Sequence, residues 1–170
     1  MYTHISLEAL LWALSFYGRH LVLVLGLSLV PALQRFGTVS GLIPMGPFAG
    51  RAGEVLTAAA RLGLIVAALV LMLRELNPPM TSLREGWRGF EAGLEGRVGV
   101  FLLQFVLLAL AFAVFDLVPT WAVASLVAEE SRALATAIVL AVKNLTVIAL
   151  TFLWLIGLAR FFVVSGALSP

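Results

Sequence analysis

Hydrophobic positions run through this chain in long blocks separated by short polar interruptions, and those blocks define the elements. From Ile5 to Phe16 the pattern is helical, with Leu7, Leu10, Leu11 and Leu14 at helical spacing and Glu8 and Ser15 elsewhere on the wheel. Gly18-Arg19-His20 interrupts, and Leu21 to Leu33 is apolar again but short of the roughly 20 residues that a membrane span needs. Two readings follow: an interfacial helix leading into a span near residues 20–36, or one long tilted helix from Ile5 to Leu33. The cost of holding Arg19 and His20 in hydrocarbon favours the first.

Residues 36–50 carry no charge, four glycines and the prolines Pro44 and Pro47, which remove backbone donors and preclude a continuous helix. The segment reads as an interfacial linker, with a re-entrant loop as the alternative. Val55–Leu73 is a second span, ended by Arg74-Glu75 and Asn77-Pro78-Pro79. The stretch 82–95 then reads as a short amphipathic helix opened by the capping-box spacing Ser82-x-x-Glu85. Leu83, Trp87, Phe90 and Leu94 form its apolar face and anchor it at the interface, opposite Arg84, Arg88, Glu91 and Glu95. Gly86, Gly89 and Gly93 within it and Gly96 just after it weaken it, so its order depends on a lipid surface or a neighbouring helix. Val98–Val118 is the clearest span, closed by Pro119. Residues 120–132 read as a short connection, and Ala133–Ala159 as a fourth span ending at Arg160.

Composition agrees with this pattern. Of 170 residues 62% are hydrophobic and 12% charged, with a mean hydropathy of +1.08, against about 45–50% and about 25% in soluble domains. The expected fold class is an all-α integral membrane protein with four transmembrane helices and interfacial amphipathic helices, forming a single membrane domain over residues 1–170. A faint repeat, Ser6-Leu7 with Ser82-Leu83 and Gly18-Arg19 with Gly96-Arg97, suggests a duplicated hairpin over 1–77 and 78–170, although the spacings of the matching features disagree.

Charge sets orientation. With four spans, Arg19, Arg74, Arg84, Arg88, Arg97 and Arg160 fall on one side and Arg35, Arg51 and Arg132 on the other. The positive-inside rule then places both termini in the cytoplasm, with the chain in the cell (inner) membrane. The net charge of +2 is too small and dispersed for nucleic-acid binding. No basic region precedes the first apolar run, so no secretory signal peptide is expected.

Candidate chemistry is sparse. Without cysteine there is no disulfide or thiolate metal site, and with only His4 and His20 no histidine-rich one, so neither metal nor cofactor is expected. A haem role for His20 loses to that of a snorkelling interfacial histidine. Phosphate-loop, zinc-protease and serine-hydrolase motifs are absent. Glu129-Glu130-Ser131-Arg132 superficially resembles the paired glutamates of abortive-infection-type membrane proteases, but the essential later histidines of that family have no counterpart after His20. Asn144-Leu-Thr146 matches the glycosylation sequon by chance, inside an apolar span.

The charges inside the spans carry the stronger signal, because they are expensive there. Up-down topology brings Arg61, about 10 Å below the outer end of its span at 1.5 Å per residue, to the level of Asp116 and Lys143. These three form the candidate polar cluster, Asp116 pairing with Arg61 or Lys143, with Glu54, Gln104 and Asn144 as secondary members. The expected function is that of a non-catalytic accessory or scaffold subunit, with the bilayer and other membrane subunits, or further copies of itself, as partners. The alternative is a small oligomeric transporter or lipid-binding protein that uses the outer-side cluster.

Overall fold

In a computed structural model the described residues, which are 2–42, 47–77, 79–80 and 82–167, are mostly helical, with no strand among them. Among these residues seven α-helices follow in order: α1 Tyr2–Arg19, α2 Leu21–Ser40, α3 Pro47–Arg74, α4 Leu83–Leu94, α5 Val98–Leu126, α6 Arg132–Lys143 and α7 Ala149–Ala167. A short 3₁₀ turn precedes α6, and a π-helical segment, Asn144–Ile148, joins α6 to α7. Four stretches are long and apolar enough to cross a membrane: Leu21–Ser40, Gly50–Arg74, Val98–Leu126 and Glu129–Ala167.

Several boundaries differ from the sequence reading. Pro119 does not close the third long helix: α5 continues through it to Leu126, absorbing most of the expected connection. Apolar helices tolerate proline when nearby hydroxyls satisfy the backbone, and Thr120 Oγ1 donates to Asp116 O at 2.7 Å one turn back. Arg160 does not end the last helix either, since α7 reaches Ala167 and its final turns are covered by α4. Pro47 opens α3, where a missing N–H costs nothing. Gly41, at φ +68°, lies just beyond α2. Whether residues 36–50 re-enter turns on 43–46, which lie outside the described residues. α1 and α2 are interrupted at the single residue His20.

The chain divides into two compact units. One comprises residues 1–20, 65–108 and 150–170. Here the buried face of α1 is made of Ile5, Ala9, Ala13 and Phe16, while Leu7, Leu10, Leu11 and Leu14 face outward. Small residues let backbones approach: a Cβ on Gly157 of α7 would stand 2.8 Å from Ala9 O. Trp154 Nε1 donates to Ser6 O at 3.1 Å, and Ser6 Oγ donates to Gln104 Oε1, accounting for one polar end of the fully buried Gln104. At the other end of α1, Glu75 accepts from Arg19 Nη2 at 2.9 Å and lies 3.2 Å from His20 Nε2.

α4 begins as the sequence indicates, with Ser82 as N-cap accepting from Arg84 N at 3.1 Å. Its glycines are its docking face. A Cβ on Gly93 would stand 2.7 Å from the carbonyl carbon of Phe162, one on Gly166 2.6 Å from Gly93 N, and one on Gly86 2.8 Å from Leu73 Cδ2. The expected apolar anchor is thereby divided. Leu83 and Trp87 remain outward, Leu94 is half-buried, and Phe90 turns in to meet Phe101 and Phe162 edge-on, ring centroids 5.8 and 5.9 Å away.

The other unit comprises residues 21–64 and 109–149. In it α2 packs along α6, burying Val24, Ser28, Pro31, Ala32 and Gln34, with Ala137 fully buried on α6.

Candidate functional site

The second unit holds most of the polar residues that the sequence singles out. Its centre is the dipeptide Lys143-Asn144, where the α6 helix widens into a π turn. Asn144 Nδ2 donates to Leu140 O at 2.8 Å and Thr146 Oγ1 to Val142 O at 2.7 Å. These side chains engage carbonyls that a regular helical turn uses, which favours the widened turn. Lys143 and Asn144 are both buried, and each reaches a different helix.

Lys143 Nζ donates to Asp116 Oδ1 on α5, and the same ammonium lies 5.9 Å from the ring centroid of Phe112, one turn before Asp116. The pair is asymmetric: the lysine side chain is 10% exposed and the aspartate 47%. Asn144 Oδ1 accepts from Arg61 Nη2 of α3 at 2.9 Å. Of the two partners foreseen for Asp116, the structure therefore brings up Lys143 and gives Arg61 to Asn144. A carboxylate and an amide carbonyl share the work of holding two cations, which lowers the cost of burying them.

Around Arg61 the polar surface continues. Gly53, Thr57 and Arg61 recur at four-residue spacing on one face of α3. Gly53 makes room for Gln34 of α2, since a Cβ there would stand 2.9 Å from Gln34 Cγ. Gln34 Oε1, Thr57 Oγ1 and Arg61 Nε are buried without a hydrogen-bond partner among the described residues. The set carries net positive charge, with Asp116 its one acidic side chain.

Two secondary candidates fall elsewhere. Gln104 belongs to the other unit, bonded to Ser6, and Glu54 is exposed. Gln34 and Thr57 were missed by the sequence reading, although Gly53, Thr57 and Arg61 at helical spacing gave a signal. The anchor residues Leu83, Trp87, Phe90 and Leu94 belong to α4 and take no part in this cluster. Among the described residues no three His, Cys, Asp or Glu side chains gather as metal ligands.

Chemically the site offers a fixed guanidinium, an ammonium, one carboxylate, an amide and a hydroxyl. Among its described residues there is neither a histidine nor a thiol. No family model, curated protein or solved structure matches the chain.

Proposed function

We propose that the protein inserts in the cell (inner) membrane through its four long helices, both termini cytoplasmic, and serves there as a non-catalytic accessory or scaffold subunit. The observation that carries the assembly reading is α5. It has the highest mean hydropathy of the four long stretches, 2.7, yet only 11% of its apolar window is buried, against 44% for Glu129–Ala167. Phe105, Phe112, Phe115 and Trp121 all face outward along it, and the half-exposed Asp116 lies among them. Aromatic side chains on such a face suit lipid or a neighbouring helix equally well. A carboxylate open to hydrocarbon is costly, and a partner helix that covers it removes that cost.

Photo-crosslinking in native membranes tests this reading. A crosslinker at Phe112 or Phe115 is expected to trap a second polypeptide, and one at Leu62 on α3, also outward, to trap little. Adducts with lipid alone at every position would contradict it.

A second reading is favoured by the three unpartnered atoms around Arg61. The guanidinium Nε–H and the Thr57 hydroxyl can donate to an anionic headgroup or solute, while Gln34 Oε1 can only accept, from a hydroxyl or ammonium of the same molecule; such a set would serve a small oligomeric transporter or lipid-binding protein. Crosslinks of the protein to itself, with a phenotype lost in Arg61→Gln at unchanged stability, would move the assignment to this reading.

A further inference from the structure

The first unit contains a cavity that neither the cluster nor the assembly reading uses. It measures about 380 Å³, in the range of small-ligand sites, and is lined by Ile5, Val100 and Phe161 together with His4, Arg97 and Ser165. The apolar residues come from α1, α5 and α7 and the polar ones from the starts of α1 and α5 and the end of α7.

Arg97 is the informative residue. It stands between amphipathic α4 and the most apolar helix of the chain, at the last position before that helix begins. Its carbonyl accepts the first helical bond of α5, from Phe101 N at 3.1 Å, and Gly96, at φ +70°, turns the chain into it. Its side chain is exposed and engages no carboxylate among the described residues, whereas Arg19 is committed to Glu75. The second cation-capable group, His4, lies 3.5 Å from Glu8 on its own helix.

A guanidinium at the mouth of a cavity whose other walls are largely apolar matches a molecule with a charged head and an apolar tail. Arginine favours phosphate oxygens, which it grips with two parallel N–H donors. We propose that this cavity binds the phosphate group of a membrane phospholipid, with Arg97 as the principal ligand, His4 and Ser165 beside it, and Ile5, Val100 and Phe161 against the start of the acyl region. The inference rests on the membrane reading of the preceding subsection and needs no partner protein.

The test uses the full chain purified in detergent, stripped of lipid and titrated with phosphatidylglycerol or with inorganic phosphate, with retained adducts counted by native mass spectrometry. Wild type is expected to retain one phosphatidylglycerol tightly. Arg97→Gln should weaken that retention at least fivefold, Val100→Phe should weaken it by filling the cavity, and Arg97→Lys should keep part of it. Arg51→Gln, an exposed arginine in the other unit, should leave it unchanged. Thermal melting of each variant identifies any that fails to fold, and Arg97→Lys then carries the comparison. Phosphate bound through Arg97 in the absence of lipid binding would keep the phosphate site and assign its source to solution. No tight adduct on wild type, or equal losses in the Arg97 and Arg51 variants, would overturn the proposal. Carbonate extraction of whole membranes keeps the two readings apart: a chain that resists extraction yet binds no phosphate refutes this inference alone.

Discussion

Lys143 and Asn144 illustrate how adjacent residues can organise three helices. One holds Asp116 on α5, the other Arg61 on α3, and both lie where the backbone widens into a π turn. Removing one member of such a pair leaves the other charge or dipole buried and unmatched. Asp116→Asn should therefore destabilise the protein by about 1–3 kcal/mol, with Lys143→Gln recovering part of the loss as a coupling of about 1 kcal/mol. Thermal unfolding in detergent of the two single variants and the double variant measures it, and strictly additive losses would argue against the pair. Arg61→Gln should couple to Asn144→Ala instead, and less to Asp116→Asn. The sequence named Asp116, Lys143 and Arg61 because charges in apolar runs stand out. It left the choice of partner open because helix rotation, which decides whether lysine or arginine meets the carboxylate, is set by packing that the hydropathy pattern does not encode.

At the scale of elements, glycine has opposite meanings in different helices. In α4 it costs helix propensity, about 1 kcal/mol per residue relative to alanine, but it also lets α4 lie against α7 through Gly89, Gly93 and Gly166. Gly93→Ala should destabilise the protein by about 1–3 kcal/mol through overpacking. Gly26→Ala, where the added Cβ meets nothing within 4 Å in the middle of α2, should be neutral or stabilising by up to about 1 kcal/mol. Guanidinium-free thermal melts in detergent resolve the difference, and equal effects would contradict the docking account. Leucine in α1 teaches the same lesson: the regular Leu7, Leu10, Leu11 and Leu14 stripe faces outward, while Ile5, Ala9, Ala13 and Phe16 are buried. Periodicity located α1, α4 and the four long helices. It did not reveal which face is buried, because close helix packing favours small residues and, in a bilayer, outward leucine would carry no penalty. The outward Leu83 and Trp87 of α4 remain suited to a membrane surface. Spin labels replacing Trp87 should lie deeper in reconstituted bilayers than labels at Glu91, and equal water exposure at the two positions would contradict an interfacial α4.

For the whole molecule, the four long apolar helices were legible in the sequence near their observed positions, because long, predominantly apolar stretches leave few alternatives, although the run Leu21–Leu33 by itself was short for a span. Proline was the chief source of boundary error: Pro119 lies within a helix and Pro47 starts one. Orientation rests on the six-to-three division of arginines, and the absence of native cysteine makes it directly measurable. A cysteine at Ser169 should stay unreactive to an impermeant thiol reagent in intact cells and react once the membrane is opened, whereas labelling of intact cells would invert the topology. The central claim, that the protein works by joining other membrane subunits, is tested most directly by the mass and composition of the particle extracted from native membranes in a mild detergent. The account predicts a particle well above the 18.2 kDa of one chain, after correction for bound detergent, with a second polypeptide at fixed stoichiometry that is lost when outward residues of α5 are made polar. A particle containing one copy of this chain and no other polypeptide would contradict it.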